Sequence, residues 1–241
     1  MNTPATPRRG RVQFHEHANP EIWARSAANA IAHALGETLR ERDRTRLLLS
    51  GGSTPAPVYH ALAQADLDWK RVDAALVDER WLQPDDPDSN TRLVRETLLH
   101  GPASAAHFEG LTRAGQTIEE AVRVANLHAH QSADVVVLGM GDDGHTASLF
   151  PRMRGLDEAL ASEQAYVAVD TAGCPGAGRF ARRISLTPAG LAPSHARFLL
   201  IRGAAKRTLF ERAVDGDNVR ELPIRLAFTT PGASLQVHWA P

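Results

Sequence analysis

The amino-acid sequence predicts an α/β fold, a three-layer sandwich in which helices cover both faces of a largely parallel, doubly wound sheet. Two observations predict it. Short runs of valine, leucine and isoleucine alternate along the chain with longer segments whose apolar residues recur at helical spacing. Glycine-bearing polar turns follow several of the short runs, as expected where the strands of a parallel sheet lead into helices.

Each element follows from a local pattern. Asn19 and Pro20 are typical of a helix start, and Asp88, Ser89 and Asn90 are good caps for a later helix. The shorter apolar runs indicate buried strands. The predicted helices are 20–39, 55–65, 91–99, 117–130 and 204–214, and the predicted strands are 47–49, 72–77, 135–138, 166–169, 183–186, 198–201 and 235–239. The loop 171–181 is either a plain connection or a mobile lid.

Composition excludes several classes of function. The 241 residues include 27 basic and 28 acidic ones, and this net charge of −1 gives no indication of binding to nucleic acid or a membrane surface. The single cysteine, Cys174, excludes an internal disulfide and a multi-cysteine zinc site. The chain starts without the apolar core of a signal peptide, and no apolar run approaches the roughly 20 residues of a membrane helix. We therefore expect a soluble, cytoplasmic protein.

Metal ligands are not expected either. No H-E-x-x-H motif is present, and His128 and His130 lie two residues apart, which is the wrong spacing for one helix face. We expect neither a metal nor another cofactor.

The most informative segment follows the strand 135–138. Three glycines, Gly139, Gly141 and Gly144, lead directly to His145, and Asp142 and Asp143 lie within three residues of it. Open α/β sheets bind their ligands at the carboxyl ends of the strands. An imidazole with nearby carboxylates at such a place indicates proton transfer on a small molecule.

The same glycines fit the dinucleotide-binding pattern G-x-G-x-x-G, but we reject that interpretation. Asp142 and Asp143 would repel a pyrophosphate, and no acidic residue ends a second strand about 20 positions later to bind a ribose. The segment also lies past the middle of the chain.

A second candidate site follows the strand 47–49. Glycines allow backbone amides to approach an anion, and the start of the next helix presents free N–H groups. Ser53 or Thr54 could cap that helix, with Pro55 at its first position. The alternative, equally supported, is an ordinary capped turn. The candidate phosphate-binding residues are Ser50, Gly51, Gly52, Ser53 and Thr54.

Two further groups are expected at the same edge of the sheet. Arg80, after the strand 72–77, could bind phosphate oxygens with two parallel hydrogen bonds, and Asp78 could accept one from a sugar hydroxyl. Lys206 falls in the first turn of a helix, where a cation is mildly unfavourable and a bound anion would explain it. The alternative for each is an exposed charge without a ligand.

Together these segments resemble the 6-phosphogluconolactonases, in that family's order and over nearly the whole chain. The matching motifs are Ser50-Gly-Gly-Ser-Thr-Pro55, Asp78-Glu-Arg80 with Ser89-Asn90, Asp143-Gly-His-Thr-Ala-Ser-Leu-Phe-Pro151, Arg183-Ile-Ser-Leu-Thr187 and Gly203-x-x-Lys206. The run ending at Pro151 is the most specific of them.

The resemblance implies one domain over 1–241 with the fold of glucosamine-6-phosphate deaminase. It implies metal-independent hydrolysis of 6-phospho-D-glucono-1,5-lactone to 6-phosphogluconate, the second step of the oxidative pentose phosphate pathway. By this likeness His145 is the catalytic base, supported by Asp143. Arg80, Lys206 and the 50–54 loop bind the phosphate, and Asp78, Asn90 and Arg183 are further substrate contacts. We expect a monomer or a weak homodimer.

Two other functions stay open. One is a sugar-phosphate isomerase or deaminase on the same fold, although the deaminases carry Asn-Glu-Pro where this chain has Ser148-Leu-Phe-Pro151 and a tyrosine where it has Arg80. The other is a non-enzymatic sugar-phosphate sensor, which needs a DNA-reading module. The forty-odd residues expected before the first strand contain one alanine-rich helix and no such module.

Overall fold

A computed structural model describes residues 12–129, 132–232 and 234–241. The strands of this part are β1 Val12–Glu16, β2 Thr45–Leu49, β3 Val72–Leu76, β4 Asp78–Arg80, β5 His107–Glu109, β6 Val135–Leu138, β7 Tyr166–Asp170, β8 Arg182–Leu186, β9 Ala196–Arg202 and β10 Leu235–Ala240. The helices are α1 Pro20–Glu41, α2 Ala56–Leu62, α3 Asn90–Thr97, α4 Ile118–His128, α5 Leu156–Ala161, α6 Pro188–Leu191, α7 Ala204–Val214 and α8 Leu226–Thr229.

The main sheet has seven strands in the order β1-β10-β9-β6-β2-β3-β5, and all of its pairs are parallel. Every residue of β2, β3 and β6 is buried, as in parallel strands that are covered on both faces. This arrangement confirms the predicted α/β fold with a largely parallel sheet.

The direction in which the strands are added to the sheet reverses between β2 and β6. From β2 the chain proceeds outward through β3 to β5, and then returns to build β6, β9 and β10 on the other side of β2. Ligands of open α/β sheets bind at such a switch point. The loops after β2 and β6 therefore separate from each other above the centre of the sheet, where they border a crevice.

The helix starts are well capped. The Asn19 side chain accepts a hydrogen bond from the Ile22 amide at the start of α1 (2.9 Å), as predicted. At α3 the cap is Ser89, whose hydroxyl accepts from the backbone amides of Thr91 and Arg92. Thr117 and Glu120 form a reciprocal capping box at α4.

Several predicted elements were wrong. The sequence placed 166–169 and 183–186 in the main sheet and treated Asp78 to Arg80 as a loop. Instead β4, β8 and β7 form a separate antiparallel sheet. The strands β1 and β5 were missed because most of their residues are polar and they lie at the two edges of the sheet. The short helices α5, α6 and α8 were also missed.

The helix boundaries also differ from those predicted. The helix predicted over 55–65 is shorter, and that over 117–130 ends at His128, with its predicted last residue outside the described part of the chain. The first strand among the described residues is β1, so the segment before β2 supplies a strand and a core helix to this fold. Within the described residues, no helix is long and apolar enough to cross a membrane.

Candidate active site

A cavity of about 260 Å³ opens at the carboxyl ends of the parallel strands, beside the switch point. Its walls include the predicted base and every residue predicted to contact substrate or phosphate: Ser50, Gly51, Gly52, Ser53, Thr54, Asp78, Arg80, Asn90, His145, Arg183 and Lys206. The remaining predicted residue, Asp143, lies behind the His145 ring. The fold thus brings together segments that are up to about 150 residues apart in the sequence.

His145 and Asp143 form a hydrogen-bonded pair. The Asp143 Oδ1 atom lies 2.6 Å from His145 Nδ1 and also accepts from the His145 backbone amide at 3.0 Å. Burial alone would raise the pKa of Asp143, but the hydrogen bonds and charge of His145 outweigh it and hold that pKa below its ordinary value. Because an ionised carboxylate accepts at Nδ1, the Nε2 atom is the one left for proton transfer.

Two of the glycines before His145 stand where a side chain would not fit or where the backbone favours glycine. A Cβ atom on Gly141 would collide with His145 Nδ1, and Gly144 has a φ of +82°, which favours glycine. The Gly141 amide donates to the His145 carbonyl at 2.9 Å and closes the turn. These glycines allow a tight turn around the imidazole. This turn explains the G-x-G-x-x-G spacing, so a bound dinucleotide is not needed to explain it.

The 50–54 loop follows β2 and is hydrogen-bonded to α2. The Tyr59 hydroxyl donates to the Ser50 carbonyl at 2.8 Å, and Gly51 has no room for a side chain beside the Asn90 amide. The predicted cap is wrong: Pro55 occupies the cap position, and no side chain caps α2. The hydroxyls of Ser53 and Thr54 therefore do not serve the helix start, although both residues line the cavity.

The second sheet places two arginines side by side at the cavity. Arg80 of β4 pairs in register with Arg183 of β8. The Arg80 Nε atom is buried and has no hydrogen-bond partner among the described residues, while its Nη1 donates to the Asp88 carbonyl at 2.6 Å. Burial, reinforced by the charge of Arg80, lowers the pKa of Arg183, although Asp78 opposes the shift. Two adjacent cations with an unused donor favour an anionic ligand.

Asp78 and Asn90 face the cavity in a fixed arrangement. The Asn90 side chain donates to the Asp78 carbonyl at 2.9 Å, and the Ser148 hydroxyl donates to the Asp78 carboxylate at 2.6 Å. Ser148 is fully buried. Asp78 therefore has one carboxylate oxygen bonded firmly to the protein, which orients the group.

The sequence did not reveal the contribution of Glu79. Its carboxylate is fully buried and accepts hydrogen bonds from the Ser89 hydroxyl and from the Asn90 and Thr91 amides, at 2.8 to 2.9 Å. Burial raises the pKa of Glu79 despite these bonds. This contact fixes the start of α3, and with it Asn90, against β4. The sequence did contain an indication of this contact: an acidic residue lies between Asp78 and Arg80, and the helix-capping residues 88–90 follow soon after.

Lys206 lies in the first turn of α7, as predicted. Its ammonium group donates to the Met140 carbonyl at 2.5 Å and forms an ion pair with Asp142 at 2.8 Å. The cavity is also lined by Pro55, Gly139 and Gly141 of the predicted loops, and the lining residues that the sequence did not identify are Met140, Ala147, Leu200, Ile201 and Arg202. The last three are the final residues of β9. They could have been predicted, because ligands of open α/β sheets bind at the carboxyl ends of the strands.

No group of three or more histidine, cysteine, aspartate or glutamate side chains within the described ranges is arranged to hold a metal ion.

The chain resembles known proteins over most of its length. Residues 18–239 match the family of glucosamine-6-phosphate isomerases and 6-phosphogluconolactonases. A 6-phosphogluconolactonase of Xylella fastidiosa strain Temecula1 is 48% identical over 230 residues, covering 95% of this chain and 96% of that protein. The crystal structure of a 6-phosphogluconolactonase from Shewanella baltica OS155 superimposes with a TM-score of 0.89 at 34% identity, covering 96% of this chain and 98% of the other.

A monomeric glucosamine-6-phosphate deaminase shares the fold, with a TM-score of 0.75 at 18% identity, covering 95% of this chain and 97% of the deaminase. The match to the family extends over nearly the whole chain, and the Xylella relative is similar over 96% of its length. The chain therefore belongs to the family of glucosamine-6-phosphate isomerases and 6-phosphogluconolactonases.

Proposed function

We propose that this protein is an enzyme that hydrolyses 6-phospho-D-glucono-1,5-lactone to 6-phosphogluconate, the second step of the oxidative pentose phosphate pathway. The observation that carries the proposal is the composition of one cavity wall. It holds a carboxylate-supported imidazole together with Arg80, Arg183 and Lys206, so a proton acceptor and an anion-binding group border the same 260 Å³ space.

The reaction follows from these groups. A δ-lactone is an activated ester, so water can attack C1 directly once a base removes its proton. His145 Nε2 takes that proton, and Asp143 stabilises the imidazolium that forms. The tetrahedral intermediate then collapses, the bond between C1 and the ring oxygen breaks, and the imidazolium returns the proton to that oxygen. Backbone amides of the glycine turn at 139–144 are our candidates for stabilising the oxyanion.

The phosphate would lie at the cationic side of the cavity. Arg80 offers an unused Nε donor, and Lys206 offers an ammonium group whose present anionic partner is an exposed carboxylate. The 50–54 loop adds backbone amides and the hydroxyls of Ser53 and Thr54. We assign Asp78 and Asn90, which Ser148 and Glu79 hold in position, to the binding of sugar hydroxyls.

The alternative functions have less support. In place of the deaminases' Asn-Glu-Pro, this chain has a buried serine whose hydroxyl is bonded to Asp78, and Phe150, whose ring lies 4.0 Å from that of His145. A sensor needs a DNA-reading module, and β1 and α1, which lie before β2, do not form one because they belong to the sheet and core. The cytoplasmic location and the monomeric or weakly dimeric state stay predictions.

The direct test is a rate assay on freshly generated 6-phosphogluconolactone, corrected for spontaneous hydrolysis. We expect catalysis by the wild-type protein and a kcat lower by roughly 10²–10⁴-fold in His145→Ala. Arg80→Ala and Lys206→Ala should mainly reduce kcat/KM, each by about 10- to 100-fold, the loss expected for a charged hydrogen bond to a dianion.

Unphosphorylated gluconolactone is the matched control substrate. It should be hydrolysed poorly by the wild-type protein and be nearly indifferent to the Arg80 and Lys206 changes. Equal losses on both substrates would mean that these cations support the fold and not the phosphate. A His145→Ala variant with near-normal kcat would eliminate the assigned base.

A further inference from the structure

The 171–181 loop connects β7 to β8 and approaches the His145–Asp143 pair through Gly176. A Cβ atom built on Gly176 would lie 2.5 Å from Asp143 Oδ2, 3.1 Å from Asp143 Cγ and 3.3 Å from His145 Nδ1. The first of these distances is far inside van der Waals contact. The backbone of Gly176 therefore packs directly on the carboxylate that supports the imidazole, where a side chain does not fit.

The two oxygens of Asp143 have different surroundings. Oδ1 accepts from the His145 ring and from its backbone amide. Oδ2 faces Gly176. With the loop backbone against Oδ2, the carboxylate has little freedom to rotate about its Cβ–Cγ bond, so Oδ1 stays directed at Nδ1.

The loop is itself tied to the site. Arg183 donates to the Ala177 carbonyl at 2.7 Å and to the Phe180 carbonyl at 2.9 Å. The Ala177 side chain is buried, and the Ala177 amide donates to the Cys174 carbonyl at 3.0 Å. These bonds hold the stretch around Gly176 in place, so the loop acts as a fixed wall of the pair in this structure.

We propose that Gly176 is a positioning residue of the active site: its missing side chain lets the loop backbone cover Asp143 and fix the Asp143–His145 hydrogen bond. This inference rests on the proposed function for its kinetic consequences, but the geometry of the pair can be measured without any substrate.

The substitution Gly176→Ala tests the contact cleanly. Gly176 does not adopt the left-handed conformation that favours glycine, so alanine is compatible with its backbone, and the added methyl group meets the pair. Gly173→Ala is the matched control. It makes the same chemical change in the same loop, where φ is +81° and a Cβ would meet nothing within 4 Å. The control variant therefore strains the backbone of the same loop but adds no atom that contacts Asp143.

We expect Gly176→Ala to lower kcat by roughly 10–100-fold, the scale for a small displacement of a catalytic group. The KM for the phosphorylated lactone should change by less than about twofold, because the phosphate side of the cavity is untouched. The acid limb of the kcat/KM profile should move to lower pH, since a displaced carboxylate stabilises the imidazolium less. Gly173→Ala should leave that limb in place.

An NMR titration of the His145 imidazole in the unliganded protein separates this inference from the proposed function. We expect its midpoint to move to lower pH in Gly176→Ala and not in Gly173→Ala, whether or not the protein is a lactonase. An unchanged titration in Gly176→Ala, or an equal shift in both variants, would overturn the positioning role. Absent lactonase activity in the wild-type protein would overturn the proposed function alone.

Discussion

His238 should make the stability of this protein depend strongly on pH below neutrality. It lies on β10, is 3% exposed, and stacks on His15 and His17 with ring centroids 4.7 and 5.2 Å away. Burial, together with the charges of His15 and His17, lowers the pKa of His238 to about 3. An imidazole that is neutral in the fold and charged in the unfolded chain favours unfolding when it binds a proton.

The size of the effect follows from the two pKa values. The unfolded chain binds the proton below pH 6.5, whereas the fold resists it down to about pH 3. The stability contribution is therefore complete above pH 6.5 and is lost as the pH falls toward 3. At about 1.4 kcal/mol for each pH unit, the loss is about 2 kcal/mol at pH 5 and reaches about 5 kcal/mol at the lower limit.

Urea unfolding at pH 8 and pH 5 measures this loss. His238→Gln keeps a polar side chain of similar size but cannot titrate, so the drop in unfolding free energy between the two pH values should shrink by about 2 kcal/mol relative to wild type. His33→Gln, which removes an exposed imidazole from α1, is the control. The reasoning fails if His238→Gln loses as much stability as the wild-type protein between pH 8 and pH 5.

Three further results are expected. Asp142→Asn should lower the KM for the phosphorylated lactone by about two- to fivefold, because it frees Lys206 from its ion pair, and an unchanged or higher KM would contradict this. Arg197→Met should reduce the unfolding free energy by about 3 kcal/mol in urea titrations, because the buried guanidinium donates to carbonyls of Leu191, Thr230 and Pro231; a loss below about 1 kcal/mol would refute that. Exhaustive EDTA treatment should leave lactonase activity intact, and a rate restored by one specific metal would overturn the proposed mechanism.

Much of the fold could be predicted because the patterns that encode it are local. The runs 47–49 and 135–138 consist of leucine and valine and form central strands covered on both faces. The antiparallel sheet could not be predicted, since nothing local distinguishes the strand 183–186 from a strand of the main sheet. Its membership depends on pairing with β4, about 100 residues earlier in the chain.

The candidate site divides in the same way. The positions of His145, Lys206 and the 50–54 loop at one edge follow from a general rule about parallel strands, so the sequence sufficed to predict that they meet. It did not suffice for the contacts that hold them. Glu79 is bonded to the start of α3, and Gly176 lies against Asp143 from a loop more than 30 residues away.

By itself the sequence determined the fold class, the cavity edge and part of the cavity wall, because spacing and glycine content act through the nearest turns of the chain. Only the tertiary structure decided which side chains are buried from solvent and which partner each of them contacts. The stacking of His238 on His15, more than 220 residues away, exists because β1 and β10 are neighbours in the sheet. Burial free energies and hydrogen bonds of this kind depend on distances in space, which the order of residues along the chain does not contain.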